Sequence, residues 1–195
     1  MITCLLLAAG LSSRFGSPKA LAEIQGQTFL ARQIEMLLSA GIEHVVLVLG
    51  AQAELLRRSI KADPRIKIIH NEHYQQGQTS SVKAGILQIP EGSDVLLLPV
   101  DFPFVLPKTV LQLTEHFKKD APKILIPTYN GRKGHPPIFS RKLRDEILQL
   151  DNSLGLNEII RRHQTEVQLL PVRDKGVVAT FNTPEELAQI LTDFI

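Results

Sequence analysis

Ile2-Thr3-Cys4-Leu5-Leu6-Leu7 is an almost unbroken apolar run that empties into the small-residue stretch Ala8-Ala9-Gly10. Three further runs, at residues 45–49, 95–98 and 124–126, share its character. Continuous rather than alternating apolar runs of this length belong to strands covered on both faces of a mainly parallel sheet. Between them lie segments with helical spacing. Thr28 can cap a helix carrying Leu30, Ile34, Leu37 and Leu38, and Gly41 stands where a left-handed C-terminal cap is expected. Similar stretches cover 53–60, 81–87, 109–117, 143–150 and 184–191. This alternation predicts an α/β fold: an open, mostly parallel, Rossmann-like sheet with helices on both faces. The second half is less regular. Asn130-Gly131 signals a tight turn, and Pro136-Pro137 before Ile138-Phe139 predicts an edge strand. No linker or repeat interrupts residues 1–195, so one domain is expected.

Composition narrows the function classes. At 195 residues, 44% hydrophobic and 22% charged, the chain suits a globular domain and not a disordered one. Lys and Arg total 22 against 20 Asp and Glu, a formal +2 that gives no reason to expect nucleic acid or an anionic membrane as partner. An anionic ligand must therefore meet a local site. The single cysteine, Cys4, excludes an internal disulfide and an all-cysteine metal cage. The apolar start imitates a secretory signal but lacks a basic leading region, and Ser12, Ser13 and Arg14 follow at once. No run approaches the ~20 apolar residues of a membrane span. A soluble, cytoplasmic protein is the expectation.

The strongest chemical signal is the loop after the first strand, from Leu7-Ala8-Ala9-Gly10 through Arg14 to Pro18-Lys19. Small residues let backbone N–H groups approach a ligand and form an anion-binding concavity. Arg14 adds a planar fork of donors and Lys19 a compact charge, a set suited to polyphosphate; a loop with solvated basic residues is the plainer alternative. The loop is neither a P-loop nor a Gly-x-Gly-x-x-Gly turn, and Leu49-Gly50 ends its strand without an acidic residue for a ribose.

Pro99-Val100-Asp101-Phe102-Pro103 places a carboxylate just beyond the 95–98 strand, in the crevice where open α/β sheets bind ligands. Asp101 is a candidate Mg²⁺ ligand, or else it caps the helix after Pro107. Gly77-Gln78-Thr79-Ser80-Ser81 gathers an amide and hydroxyls at a helix start, where they can meet a base or phosphate; capping by Ser80 is the alternative. His135, in Gly134-His135-Pro136, is a ligand-facing or a core histidine. His70 and His73 have metal-pair spacing only on a helix, and no matching ligands accompany them.

Taken in order, Leu7-Ala8-Ala9-Gly10-x-Ser12-x-Arg14-Phe15-Gly16-x-Pro18-Lys19, Gly77-Gln78-Thr79-Ser80-Ser81, Pro99-Val100-Asp101-x-Pro103, Gly134-His135-Pro136 and Asn182-Thr183-Pro184-Glu185-Glu186 resemble the motifs of the MobA-like nucleotidyltransferases. The nearest likeness is to molybdenum cofactor cytidylyltransferases. The resemblance implies a nucleotide-diphosphate-sugar transferase type of fold and Mg-dependent transfer of CMP from CTP to a phosphorylated acceptor such as molybdopterin. By position it implies that Leu7, Ala8, Ala9 and Gly10 meet base and phosphates, and that Arg14 and Lys19 hold the triphosphate. Asp101 would bind Mg²⁺ with Asn182 at the second ligand position, Gln78, Ser80 and Ser81 would help read the base, and His135 would lie on the acceptor side. Ala-Ala-Gly accompanies cytidine in these relatives, whereas guanylyl counterparts usually show Ala-Gly-Gly. Two departures stand out: many relatives carry Asp where Asn182 stands, and Asn152-Ser153-Leu154-Gly155-Leu156-Asn157 replaces a Gly-Asp-x-Gly-Ala-Arg pattern. Alternatives are a sugar- or polyol-phosphate nucleotidyltransferase and, from another class, a non-catalytic nucleotide-binding partner in molybdoenzyme maturation.

Overall fold

A computed structural model describes residues 1–194. In chain order the elements are β1 (Ile2–Ala8), β2 (Glu23–Ile24), β3 (Gln27–Thr28), α1 (Phe29–Ser39), β4 (Val45–Leu49), α2 (Ala53–Arg58), β5 (Ile66–His70), α3 (Gln78–Ile86) and β6 (Asp94–Pro99). There follow α4 (Pro107–Asp120), β7 (Ile124–Tyr129), β8 (Arg132–Lys133), β9 (Ile138–Phe139), α5 (Arg144–Gln149), α6 (Asn157–Arg162), β10 (Val167–Pro171) and α7 (Pro184–Phe194). No described helix is long and apolar enough to cross a membrane.

The main sheet runs β10-β7-β9-β6-β1-β4-β5, with β8 paired to β7. β1 lies between β4 and β6, parallel to both, and only β8 and β9 run antiparallel to their neighbours in this sheet. Both faces are covered, as the continuous apolar runs require. Cys4, Leu6 and Ala8 of β1 face α1, α2 and α4, whereas Leu5, Leu7 and Ala9 join the side of α3, α5 and α6. Each fully buried Leu here contributes ~1.5–3 kcal/mol relative to exposure. A third, aromatic cluster built on Phe29, Phe104 and Phe181 ties α1 to α7.

Local signals explain several boundaries. Thr28 accepts the Ala31 N–H at 3.2 Å and caps α1, and Gly41 follows the helix with φ +80°. Asn130 and Gly131 both have positive φ, 49° and 77°, in the two-residue turn joining β7 to β8; this is the hairpin geometry that Asn-Gly favours. The predicted edge strand is corrected: Ile138-Phe139 forms β9 in the sheet interior, between β6 and β7. The two prolines precede the paired residues, so their missing N–H groups interrupt no ladder bond, and the Pro137 carbonyl accepts from Leu97 N–H at 2.9 Å.

Candidate functional site

β4 and β6 flank β1, and the chain changes sides at β1. The crevice beyond the carboxyl ends of β1 and β6 is therefore the switch point at which open α/β sheets bind ligands. A cavity of about 320 Å³ opens there. It brings together Leu7, Ala8, Ala9, Gly10, Arg14, Lys19, Gln78, Ser81, Asp101 and Asn182.

The loop after β1 leaves a row of donors open. Ala8 continues the β1 ladder opposite Leu49, and the Ala9 carbonyl accepts Ala51 N–H at 3.2 Å. Beyond that point, no carbonyl of the described residues takes the N–H of Gly10, Leu11, Ser12, Ser13 or Arg14. The loop then turns at Ser12, whose carbonyl accepts from Phe15 and Gly16 and whose hydroxyl accepts from Lys19 N–H at 3.2 Å. Successive N–H groups of this kind suit an anion.

The charged groups meet across the cavity. Lys19 Nζ donates to the Phe181 carbonyl at 2.5 Å and to Asn182 Oδ1 at 3.2 Å, and stands 4.0 Å from Asp101 Oδ2. Arg14 Nη2 donates to the same Asn182 oxygen at 3.1 Å. Burial pushes the Lys19 ammonium below its ordinary pKa, and Asp101 opposes that shift while Arg14 adds to it. Asp101 caps no helix. Its Oδ1 is buried without a hydrogen-bond partner. An unpartnered carboxylate oxygen on a residue that lines the cavity is a fitting hard-oxygen ligand for Mg²⁺, which takes one or two protein carboxylates and completes its shell with phosphate and water. Among the described residues no three His, Cys, Asp or Glu side chains gather into a metal cluster.

Two expected residues lie outside this cavity, one of them, His135, being expected on the acceptor side rather than with the triphosphate. Ser80 is a buried residue of the first turn of α3: its hydroxyl donates to the His73 or Gly77 carbonyl and accepts from Asn71 Nδ2 at 3.0 Å, so it braces the segment before the helix. His135 lines a second cavity of about 610 Å³, with Leu97, Ile126, Phe139, Leu156 and Ile160 among its walls. Its ring packs 4.3 Å from that of Phe102, and burial lowers its pKa against the opposing charge of Asp101. Gln78 borders both cavities. Tyr74 and Gln52 also line the first cavity, and nothing in their sequence surroundings marks them out. Gly50, by contrast, is legible as the residue ending β4: a Cβ there would lie 2.6 Å from the Ala9 carbonyl oxygen, so the loop can approach only a glycine.

A family model described as MobA-like NTP transferase domain matches residues 4–167. The chain is 28% identical to nicotine blue oxidoreductase of Paenarthrobacter nicotinovorans, over 97% of this chain and 96% of that protein. It is 25% identical to molybdenum cofactor cytidylyltransferase of Escherichia coli, over 95% and 93%. It is 30% identical to a probable molybdenum cofactor guanylyltransferase of Bacillus cereus, over 97% and 95%. Among solved structures, Rv0371c of Mycobacterium tuberculosis superposes with a TM-score of 0.85 at 25% identity, covering 98% of this chain and 97% of that one. The architecture is an α/β, Rossmann-like nucleotidyltransferase fold with a mixed sheet flanked by helices.

Proposed function

The chain belongs to the MobA-like NTP transferase family, and we propose that it transfers CMP from CTP to a phosphorylated acceptor of the molybdopterin class, releasing pyrophosphate. One observation carries the reading: Arg14, Lys19, the open N–H row after β1 and the unpartnered Asp101 oxygen converge on one cavity. Relatives named as cytidylyl- and guanylyltransferases of molybdenum cofactor support the acceptor class. Ala8-Ala9-Gly10 supports cytidine.

The chemistry asks little of the protein beyond alignment and charge. An acceptor phosphate monoester has its second pKa at about 6, so at neutral pH it arrives ionised and needs no general base. Its oxygen attacks the α-phosphorus of CTP, a new phosphoanhydride bond forms, and the bond to the β-phosphate breaks with its electron pair leaving on pyrophosphate. Lys19 and Arg14 hold the departing polyphosphate, and the N–H row fixes its oxygens where charge accumulates. Asp101, with Asn182 beside it, would hold Mg²⁺, whose part is to screen the phosphate charge. The second cavity, next to Gln78 and His135, is our site for the acceptor body. Its walls mix the apolar Leu97, Ile126 and Phe139 with the polar Lys133, His135, Asn157 and Arg161, a lining suited to a flat body that carries polar edges and a phosphate.

The test is pyrophosphate release from CTP, GTP and ATP, each with Mg²⁺, against molybdopterin and several sugar phosphates. Release from CTP with molybdopterin is expected. Release from GTP alone removes the cytidine assignment, release with sugar phosphates alone removes the acceptor, and no release with any pair favours a nucleotide-binding partner protein. Catalysed redox turnover without pyrophosphate would place the chain beside its oxidoreductase relative instead.

A further inference from the structure

The cations of the nucleotide loop are anchored from the far end of the chain. Lys19 and Arg14 both donate to Asn182 Oδ1, and Lys19 also donates to the Phe181 carbonyl. Phe181 is itself gripped, with its ring 5.5 Å from that of Phe15 and 5.3 Å from that of Phe29. The Asn182 backbone is held by the first turn of α7. Its N–H donates to Glu186 Oε2 at 2.6 Å, while Glu186 N–H donates to Thr183 Oγ1 at 3.2 Å. This reciprocal pair is a capping-box arrangement whose carboxylate reaches one residue further back than usual. Pro184 suits the first helical turn, where its missing N–H costs nothing.

An ordinary surface cap stabilises a helix and does nothing else. Here the capped residue also supplies the oxygen on which both cations converge. We propose that Glu186 is a positioning residue of the nucleotide site: by holding the Asn182 backbone it sets where the head groups of Lys19 and Arg14 stand. Glu186 does not line the cavity itself. Its charge also favours the Lys19 ammonium, so geometry and charge must be separated by experiment.

The assignment rests on the nucleotide reading above. Titration calorimetry with CTP and Mg²⁺ on the full chain, with thermal melting in parallel, compares wild type, E186A, E186Q and T183A. E186A is expected to weaken CTP binding about tenfold, the scale of losing the one charge-assisted hydrogen bond that holds the Asn182 backbone. E186Q keeps an oxygen for the Asn182 N–H and should stay within about twofold of wild type. T183A removes the other half of the cap, so it should lower the melting temperature as E186A does while leaving CTP affinity within about twofold. Undiminished binding by E186A overturns the assignment, as does equal loss in E186A and T183A, which would mean helix stability alone. E186Q as weak as E186A also overturns it, in favour of charge. A wild-type protein that binds none of CTP, GTP or ATP takes the assignment down together with the nucleotide reading, and is told apart by the wild-type trace.

Discussion

One neutral oxygen, Asn182 Oδ1, receives both cations of the loop after β1, Lys19 Nζ at 3.2 Å and Arg14 Nη2 at 3.1 Å. That oxygen is engaged by the two cations and the other terminal atom of the amide is a donor, whereas a carboxylate at this position would offer Mg²⁺ a second, charged oxygen. Asn182→Asp is therefore expected to lower, several-fold, the Mg²⁺ concentration that gives half-maximal pyrophosphate release. A metal titration of the two proteins checks this. An unchanged midpoint would place Asn182 outside the metal's surroundings.

Gly50 fixes how closely the end of β4 passes the loop after β1. Its added Cβ would meet the Ala9 carbonyl oxygen and Tyr74 Cβ, each at 2.6 Å, and the first is backbone that cannot turn aside. Gly50→Ala should cost about 1–3 kcal/mol as an overpacked contact and raise the CTP KM by displacing Ala9. Urea denaturation and steady-state kinetics test both halves; wild-type values in both would show that the loop position does not depend on this contact.

Asp174 is a buried carboxylate that takes Leu106 N–H at 2.9 Å, Thr109 Oγ1 at 2.7 Å and Gly176 N–H at 2.8 Å. It closes the start of α4 and so fixes the far end of the loop that begins at Asp101. Asp174→Ala strands those donors, with an expected loss of about 3 kcal/mol in denaturant stability. A loss below ~1 kcal/mol would mean that water replaces the carboxylate without penalty.

His163 gives stability a pH signature. Nε2 lies 2.6 Å from Glu146 Oε2 and Nδ1 lies 3.0 Å from Glu166 Oε2. Hydrogen bonds to Glu146 and then Glu166 hold the imidazole above its ordinary value of 6.5. A raised folded value means that this contribution is whole below pH 6.5 and is lost as pH rises through the elevated folded value. Glu146, lowered chiefly by His163, and Glu166, lowered chiefly by Lys123, act oppositely: their contribution stands above pH 4.5 and fades as acid is added. His163→Gln should therefore destabilise the protein more at pH 6 than at pH 8.5. The effect will be small, since the pairs lie at the surface, with the Glu146 and Glu166 side chains 31% and 44% exposed and open to solvent screening. Equal losses at the two pH values would show that the ring is uncharged in the pair.

The sequence carried the central fold because β1, β4 and β6 are continuous apolar runs, and Thr28, Gly41 and Asn130-Gly131 punctuate the chain with local chemistry. It hid β5, whose Ile66-Lys67-Ile68-Ile69-His70 mixes exposed and half-buried residues at a sheet edge, and β10 at the other edge for the same reason. β9 misled because Pro136-Pro137 advertises an edge, while its place between β6 and β7 is a tertiary fact. At the site, the residues clustered in motifs were legible. Asp174 was not, since its hydrogen bonds to Leu106 and Thr109 span 68 and 65 residues. Ser80 looked like a ligand-facing hydroxyl; its three partners in the chain account for it without one.

We propose that Asp101 and the β1 loop make one nucleotidyl-transfer site. Its most direct measurement is magnesium-dependent pyrophosphate release from CTP and molybdopterin by wild type and Asp101→Asn, with circular dichroism to confirm that the variant is folded. Clear release is expected from wild type and a fall of at least about 10²-fold in the folded variant, the scale on which one electrostatic group at a reacting centre is felt. A folded Asp101→Asn protein that releases pyrophosphate at the wild-type rate would contradict the proposal.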